Sequence, residues 1–243
     1  MTLTAYLIGD TLPVALDERT AELGGSFYLS PHIQPYSPLP LAWAYEQLIR
    51  YPKAVLLDIG ASTGSYSLLA AHHPDLTVCA FEPVDLTFKV LNENVYLNRL
   101  GDKVSTYRLG VSNYEGWDVL HTIKQDGGKG VSMVGGYPAK HKDVIDSSIS
   151  VTTVDHFCSQ HNIIPTMIKI DTEGAEKLVL EGARVTIENY HPFILVEYAA
   201  ENAAQYGYLA SDIIRMLEDW GYFWKCPEGL DLWAVHRNWE QIK

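Results

Sequence analysis

Acids and glycines cluster where apolar runs end in this sequence. Asp58-Ile59-Gly60-Ala61-Ser62-Thr63-Gly64 closes one run, Phe81-Glu82-Pro83 the next, Asp171-Thr172-Glu173-Gly174-Ala175-Glu176 a third and Val196-Glu197-Tyr198 a fourth. Gly60 and Gly64 permit a sharp turn and let a ligand approach the backbone. An acid 24 residues after Asp58, at the end of the following strand, is placed to bind two ribose hydroxyls. Together they predict an adenosine-containing cofactor held by Asp58, Gly60, Ala61, Ser62, Gly64, Glu82 and Pro83. The spacing is not the G-x-G-x-x-G of nicotinamide dinucleotide sites, and the Gly-Lys-Ser/Thr of a Walker loop is absent. The D-x-G-x-x-x-G form suits S-adenosylmethionine (SAM), whose ammonium Asp58 can face and which brings no pyrophosphate to cradle. The plain alternative is a strand-to-helix turn whose glycines only serve packing.

The third cluster places Asp171, Glu173 and Glu176 within six residues. Acids near a helix N-terminus are favoured by its dipole, which accounts for Glu176 without a function. Asp171 and Glu173 are the first candidates for a base that deprotonates an acceptor hydroxyl, with Glu197 next; such a base contributes ~10²–10⁴-fold. A divalent ion among these carboxylates would be another way to acidify the hydroxyl, and no metal ligand is assigned. His121 and His141 compete from either side of a Gly-rich stretch that also carries Ser132.

Those residues need a frame to hold them. Residues 54–60 (AVLLDIG), LTVCAFEP, VSTYRLG, TMIKIDT and PFILVEY read as strands, mostly buried on both faces and parallel. SYSLLAAHH, residues 85–100 with Asp85 as N-cap, residues 175–189 and DIIRMLEDW read as helices. Residues 112–150 read as an antiparallel excursion with a loop near 127–136, and YFWKC with DLWAVH as a terminal hairpin. Residues 1–50 read as an irregular, Pro- and aromatic-rich arm or lid, apart from a short helix over 39–50, packed on a domain spanning 51–243. The βα alternation predicts an open α/β sheet with helices on both faces and an antiparallel last strand. In such a sheet, ligands sit at the carboxyl ends of the strands, where the strand order reverses.

The chain has 243 residues, enough for one sizeable domain. Its 18 basic against 30 acidic residues give a formal charge of −12, which repels phosphate backbones and disfavours nucleic acid as a partner. No apolar run approaches the ~20 residues of a membrane span, and the N-terminus lacks a basic leader. Cys79, Cys158 and Cys226 form no paired motif, so the expectation is a reducing, cytoplasmic setting. Oligomeric state is not readable.

DIGASTGSY, AFEP, LNENVYLNRL, IKIDTEGAEKLVLEGA and PFILVEY, in that order from Val55 to Tyr198, resemble the FkbM-type family of SAM-dependent methyltransferases. The resemblance implies a class I methyltransferase (Rossmann-like) fold with strand order 3-2-1-4-5-7-6. It also implies O-methylation of a small-molecule, natural-product or saccharide hydroxyl. By position it adds Asn94, in the helix after AFEP, to the cofactor-binding set. The chain departs from the family at Ser62-Thr63, where Asn followed by an aliphatic residue is usual. Two other classes remain open at this point: a non-catalytic SAM-binding module, and a nucleotide-dependent oxidoreductase on the same fold.

Overall fold

The computed structural model describes residues 2–8, 11–20, 39–123, 132–134, 144–227 and 230–239. A seven-stranded sheet is built from β3 (Val55–Ile59), β4 (Thr77–Phe81), β5 (Val104–Tyr107), β10 (Met167–Ile170), β11 (Phe193–Glu197), β12 (Tyr222–Lys225) and β13 (Asp231–His236). Its order, β5-β4-β3-β10-β11-β13-β12, is the 3-2-1-4-5-7-6 implied above. All neighbours pair in parallel except β13, which runs antiparallel to both β11 and β12. The order reverses between β3 and β10, so their carboxyl ends open a crevice.

The two sheet faces alternate along each strand, as a period of two requires. Leu57, Ile59, Ile168, Ile170, Ile194 and Val196 pack into one core cluster, under α3 (Val154–His161), α4 (Glu176–Glu181), α5 (Arg184–Tyr190) and α7 (Ser211–Asp219). Leu56, Met167, Phe193 and Leu195 join the opposite cluster, with α1 (Leu39–Leu48) and α2 (Asp85–Leu97). Asp58 and Lys169 pair in register on that second face, and Lys169 pairs in turn with Leu195. Two ionisable side chains are thus threaded into an otherwise apolar layer.

Several local expectations are corrected. The N-terminal arm is not irregular throughout: β1 (Thr2–Ile8) and β2 (Thr11–Asp17) form an antiparallel hairpin. Within SYSLLAAHH only a five-residue 3-10 helix forms, Ser67–Ala71. Val84 caps α2, and Asp85 is instead its first residue, paired with Lys89 and Arg108. The helix expected over 175–189 breaks into α4 and α5 at Gly182, where a Cβ would overlap the Ser112 carbonyl oxygen. Thr153 ends the antiparallel excursion by capping α3 through His156 N, a helix the sequence reading missed, along with α6 (Ala200–Gln205).

The excursion itself is a four-stranded sheet in the order β6-β9-β7-β8, from β6 (Gly110–Val111), β7 (Gly116–Ile123), β8 (Ser132–Val134) and β9 (Val144–Thr152). β7 runs antiparallel to β8 and β9. Most of the expected loop at 127–136 and His141 lie outside the described residues.

Asn94 of α2 and Asn98 at its C-cap fasten the hairpin. Asn98 Oδ1 accepts from Ala15 N at 2.9 Å and its Nδ2 donates to Ala15 O at 2.6 Å, while Asn94 Oδ1 accepts from Asp17 N at 2.7 Å. Leaving two backbone groups without partners costs ~1–3 kcal/mol each when they are buried. Asn98→Ala is therefore expected to lower the urea midpoint and to make 2–17 the first segment cut in limited proteolysis. An unchanged cleavage pattern would contradict this attachment.

Candidate active site

The loop after β3 turns on itself. Gly60 N and Ala61 N both donate to Phe81 O, at 3.0 and 2.9 Å, and Gly64 N donates to Ala61 O at 2.9 Å. Gly60 has φ +73°, Ser62 +51° and Gly64 +102°. These three N–H groups are engaged within the protein, and the chain beyond runs into a 3-10 turn and not an α-helix. The site is shaped by backbone curvature instead. Gly60 lies so close to β10 that a Cβ there would reach 2.8 Å from the Asp171 carbonyl carbon.

Asp58 is fully buried; its Oδ2 accepts from Ser67 Oγ at 2.6 Å, whereas Oδ1 accepts no hydrogen bond. Its charge is met by the Lys169 ammonium, 3.5 Å from Oδ1, and that oxygen is still able to accept a hydrogen bond from a donor-bearing ligand. Glu82, also buried, spans the second edge of the loop. Its Oε2 accepts from Ser62 N at 2.8 Å and its Oε1 from Val84 N at 2.9 Å and Thr87 Oγ1 at 2.8 Å. Burial raises its pKa, against the pull of those hydrogen bonds. Pro83 follows, half-buried. Asn94 lies behind the loop and is fully enclosed: its Nδ2 donates to Thr63 O at 2.9 Å and Thr20 Oγ1 at 3.0 Å. It holds the loop's shape.

Across the switch point, residues 171–176 form a tight loop around one buried acid. Glu176 Oε1 accepts from Thr172 N, Thr172 Oγ1 and Gly174 N at 2.8–3.0 Å, and Tyr208 donates to its Oε2 at 3.2 Å. Glu176 is therefore a structural clamp. The fold it imposes puts Glu173 at φ +57°, a strained conformation for a residue with a side chain.

Glu173 and Glu197 are brought together by a residue the sequence reading missed. Asn202 Nδ2, on α6, donates to Glu173 Oε2 at 3.1 Å and to Glu197 Oε2 at 3.2 Å. Burial and then repulsion from Asp171 and Glu176 lift Glu173 to about 7. Burial and then Asp171, Glu173 and Glu176 lift Glu197 further, to about 9. Both carboxyls thus keep their protons to higher pH than an ordinary carboxylate, and the two titrate as a coupled pair.

Asp231, at the head of β13, is a further acid the sequence reading missed; it pairs in register with Glu197, and burial with Asp171 raises it to about 6. Lys169 completes the cluster, 3.5 Å from Asp58 Oδ1 and 3.6 Å from Asp171 Oδ2. Asp171 itself is half-exposed at the crevice mouth. An ionisable side chain inside an apolar strand was the available signal for Lys169.

Among the described residues, no group of three or more His, Cys, Asp or Glu is disposed to hold a metal ion, and no helix is long and apolar enough to cross a membrane. His121 pairs with Asp146 at 2.7 Å on the excursion sheet.

The raised acids make a pH-dependent contribution with a definite sign. A carboxyl whose folded pKa lies above its unfolded one stabilises fully below the unfolded value and loses that contribution as pH rises through the folded value. For Glu173 and Glu197 that window runs from the ordinary carboxylate range to about 7 and about 9. The melting temperature of Glu197→Gln is expected to fall less than wild type's between pH 5.5 and 9.5. Parallel curves would refute the assignment of a buried, repelled carboxyl.

Known proteins resemble this chain. The family described as Methyltransferase FkbM domain matches residues 58–223. The 31-O-demethyl-FK506 methyltransferase FkbM of Streptomyces tacrolimicus is 25% identical over 155 residues, covering 54% of this chain and 60% of its own length. A tRNA(Phe) (4-demethylwyosine(37)-C(7)) aminocarboxypropyltransferase of Pyrococcus horikoshii is 26% identical over 114 residues, covering 47% of this chain and 37% of its own. The chain thus spans less than two thirds of either relative. A methyltransferase FkbM structure from Methylobacillus flagellatus shares the fold, with TM-score 0.52 and 17% identity over 76% of this chain and 44% of that one.

Proposed function

The chain belongs to the FkbM methyltransferase family, and from that premise we propose that it moves a methyl group from SAM to a hydroxyl of a small molecule or saccharide. The observation that carries this reading is the Glu173–Asn202–Glu197 cluster, with Glu173 lifted to about 7, at the carboxyl ends of β10 and β11 across the switch point from the glycine loop. A base is most effective when its pKa lies near the working pH.

The residues present suit the cofactor. SAM, when bound, supplies a sulfonium methyl already activated toward nucleophiles. Asp58, whose Oδ1 accepts no hydrogen bond, would face the amino group, and the backbone of Gly60, Ala61, Ser62 and Gly64 would line the methionine end. Glu82 and Pro83 would border the ribose, while Asn94 keeps the loop in shape. Glu173 takes the proton of the acceptor hydroxyl, and Asn202 keeps its carboxylate oriented. Glu197, raised by burial and by the neighbouring acids, is the second carboxyl at the acceptor's place. Holding the reactants aligned is the other large contribution, ~7–11 kcal/mol in well-oriented cases. In this reading residues 1–50 are an arm over the core domain of 51–243.

A second reading, transfer of an aminocarboxypropyl group to RNA, is favoured by the archaeal relative alone. The formal charge of −12 and the carboxylates around the crevice weigh against a polyanionic acceptor. The test is a panel of polyhydroxy saccharides, macrolide-type alcohols and bulk tRNA, incubated in parallel with SAM labelled in the methyl or in the carboxyl group. Methyl label on an alcohol or saccharide is the expected result. Carboxyl label on tRNA would overturn it.

A further inference from the structure

Lys169 takes no part in the proton transfer assigned above, yet it is 4% exposed at the centre of the site. Its Nζ donates to Gly60 O at 2.6 Å and Ile59 O at 3.4 Å, and forms ion pairs with Asp58 and Asp171 at 3.5 and 3.6 Å. It also lies 5.4 Å from the Tyr66 ring centroid, within cation–π range. One ammonium therefore touches both the loop that suits the cofactor and the segment that carries the acids.

A buried ammonium is costly even when paired, and an aliphatic side chain of similar volume often packs at least as well. Met167 and Leu195 show that this face otherwise takes such residues. Packing alone does not account for a lysine here. We propose that Lys169 is a positioning residue for the transfer: it locks the Gly60 carbonyl against the Asp171 carboxylate and supplies the positive charge that lets neighbouring acids ionise. Its purpose rests on the methyltransferase reading, though its geometry does not.

The groups that face it are Asp58 from β3, Tyr66 from the turn beyond the loop, Asp171 from the end of β10 and Asp231 from β13. Glu82 and Glu173 lie within its electrostatic reach, and its charge pulls both down, as it does Asp231. Burial opposes the ammonium, but Asp171, Asp58 and Asp231 outweigh that and hold its pKa above the ordinary lysine value.

The test titrates protein carrying ¹³C-labelled Glu carboxyls by NMR, with the Glu173 signal identified by its loss in Glu173→Gln. Wild type, Lys169→Met, Lys169→Gln and Lys169→Arg are compared, and S-adenosylhomocysteine affinity is measured by calorimetry on the same samples. Lys169→Met is expected to raise the Glu173 midpoint and to weaken the ligand roughly tenfold, the scale of one lost charged hydrogen bond. Lys169→Gln keeps a donor for Gly60 without the charge, so the midpoint rises while affinity holds within about threefold of wild type. Lys169→Arg keeps the charge and leaves the midpoint in place. An unmoved midpoint in Lys169→Gln, or in a folded Lys169→Met, overturns the proposal. If the wild type methylates no hydroxyl acceptor, the functional reading falls, yet both readouts still judge Lys169.

Discussion

Gly60→Ala is expected to be among the most damaging single-methyl additions in this chain. The residue holds φ +73°, where an L side chain costs ~1–2 kcal/mol. The added Cβ would also overlap the Asp171 carbonyl oxygen and come within 2.8 Å of its carbon. Backbone at the end of β10 cannot rotate away as a flexible side chain would, because Asp171 N donates to Ile59 O at 3.1 Å. Either β10 shifts from β3, or the loop leaves the crevice. Losses above ~4 kcal/mol arise from such strain and overpacking. The variant should therefore unfold at clearly lower urea, or remain folded without S-adenosylhomocysteine affinity. Gly101→Ala serves as a control, since nothing lies within 4 Å of its added Cβ. Equal urea midpoints and affinities for the two variants would contradict the close approach.

Glu173→Gln should lower the methyl-transfer rate by ~10²–10⁴, the contribution of a placed base. At ~1.36 kcal/mol per tenfold this is ~2.7–5.4 kcal/mol of barrier. Gln preserves length and the contact with Asn202 but cannot accept the hydroxyl proton. Ligand affinity should change little, because Glu173 lies across the switch point from the glycine loop. The wild-type rate should climb through about pH 7 as the carboxyl ionises, and the variant should lose that limb. The strained φ of Glu173, fixed by Glu176 and Gly174, is consistent with a side chain placed for use. A rate within about threefold of wild type would remove Glu173 from the role and turn attention to Glu197 or Asp171.

The parts of this protein legible in the sequence are those set by short-range pattern. Strands buried on both faces read as continuous apolar runs, so β3, β4, β10 and β11 and their terminal acids were readable. The glycine loop was readable because its conformation demands glycine at fixed spacing. Pairings between distant segments were not. Asn202 meets Glu173 across 29 positions, and Asp231 meets Glu197 only because β13 folds back antiparallel. Lys169 was in view inside the IKIDTEG segment, but its role depends on its register with Asp58. The N-terminal hairpin was not legible in an arm rich in proline, though Pro13 itself sits within β2 opposite Tyr6, and its attachment depends on Asn94 and Asn98 far along the chain. The helix over 175–189 was over-extended because the approach of Ser112 to Gly182 is a tertiary fact.

Calorimetric titration of wild type and Glu82→Gln with SAM, S-adenosylhomocysteine and NAD tests the central claim most directly. Glu82 joins Ser62, Val84 and Thr87 at the loop's edge, and an amide in its place retains volume while losing the charge that would receive ribose hydroxyls. Hydrogen bonds to a charged group contribute ~1.5–3 kcal/mol, so affinity should fall ~10–150-fold. The account predicts that wild type binds both adenosyl ligands and not NAD, and that Glu82→Gln is folded but weakened by that factor. Binding of NAD alone, or SAM affinity indifferent to Glu82, would contradict it.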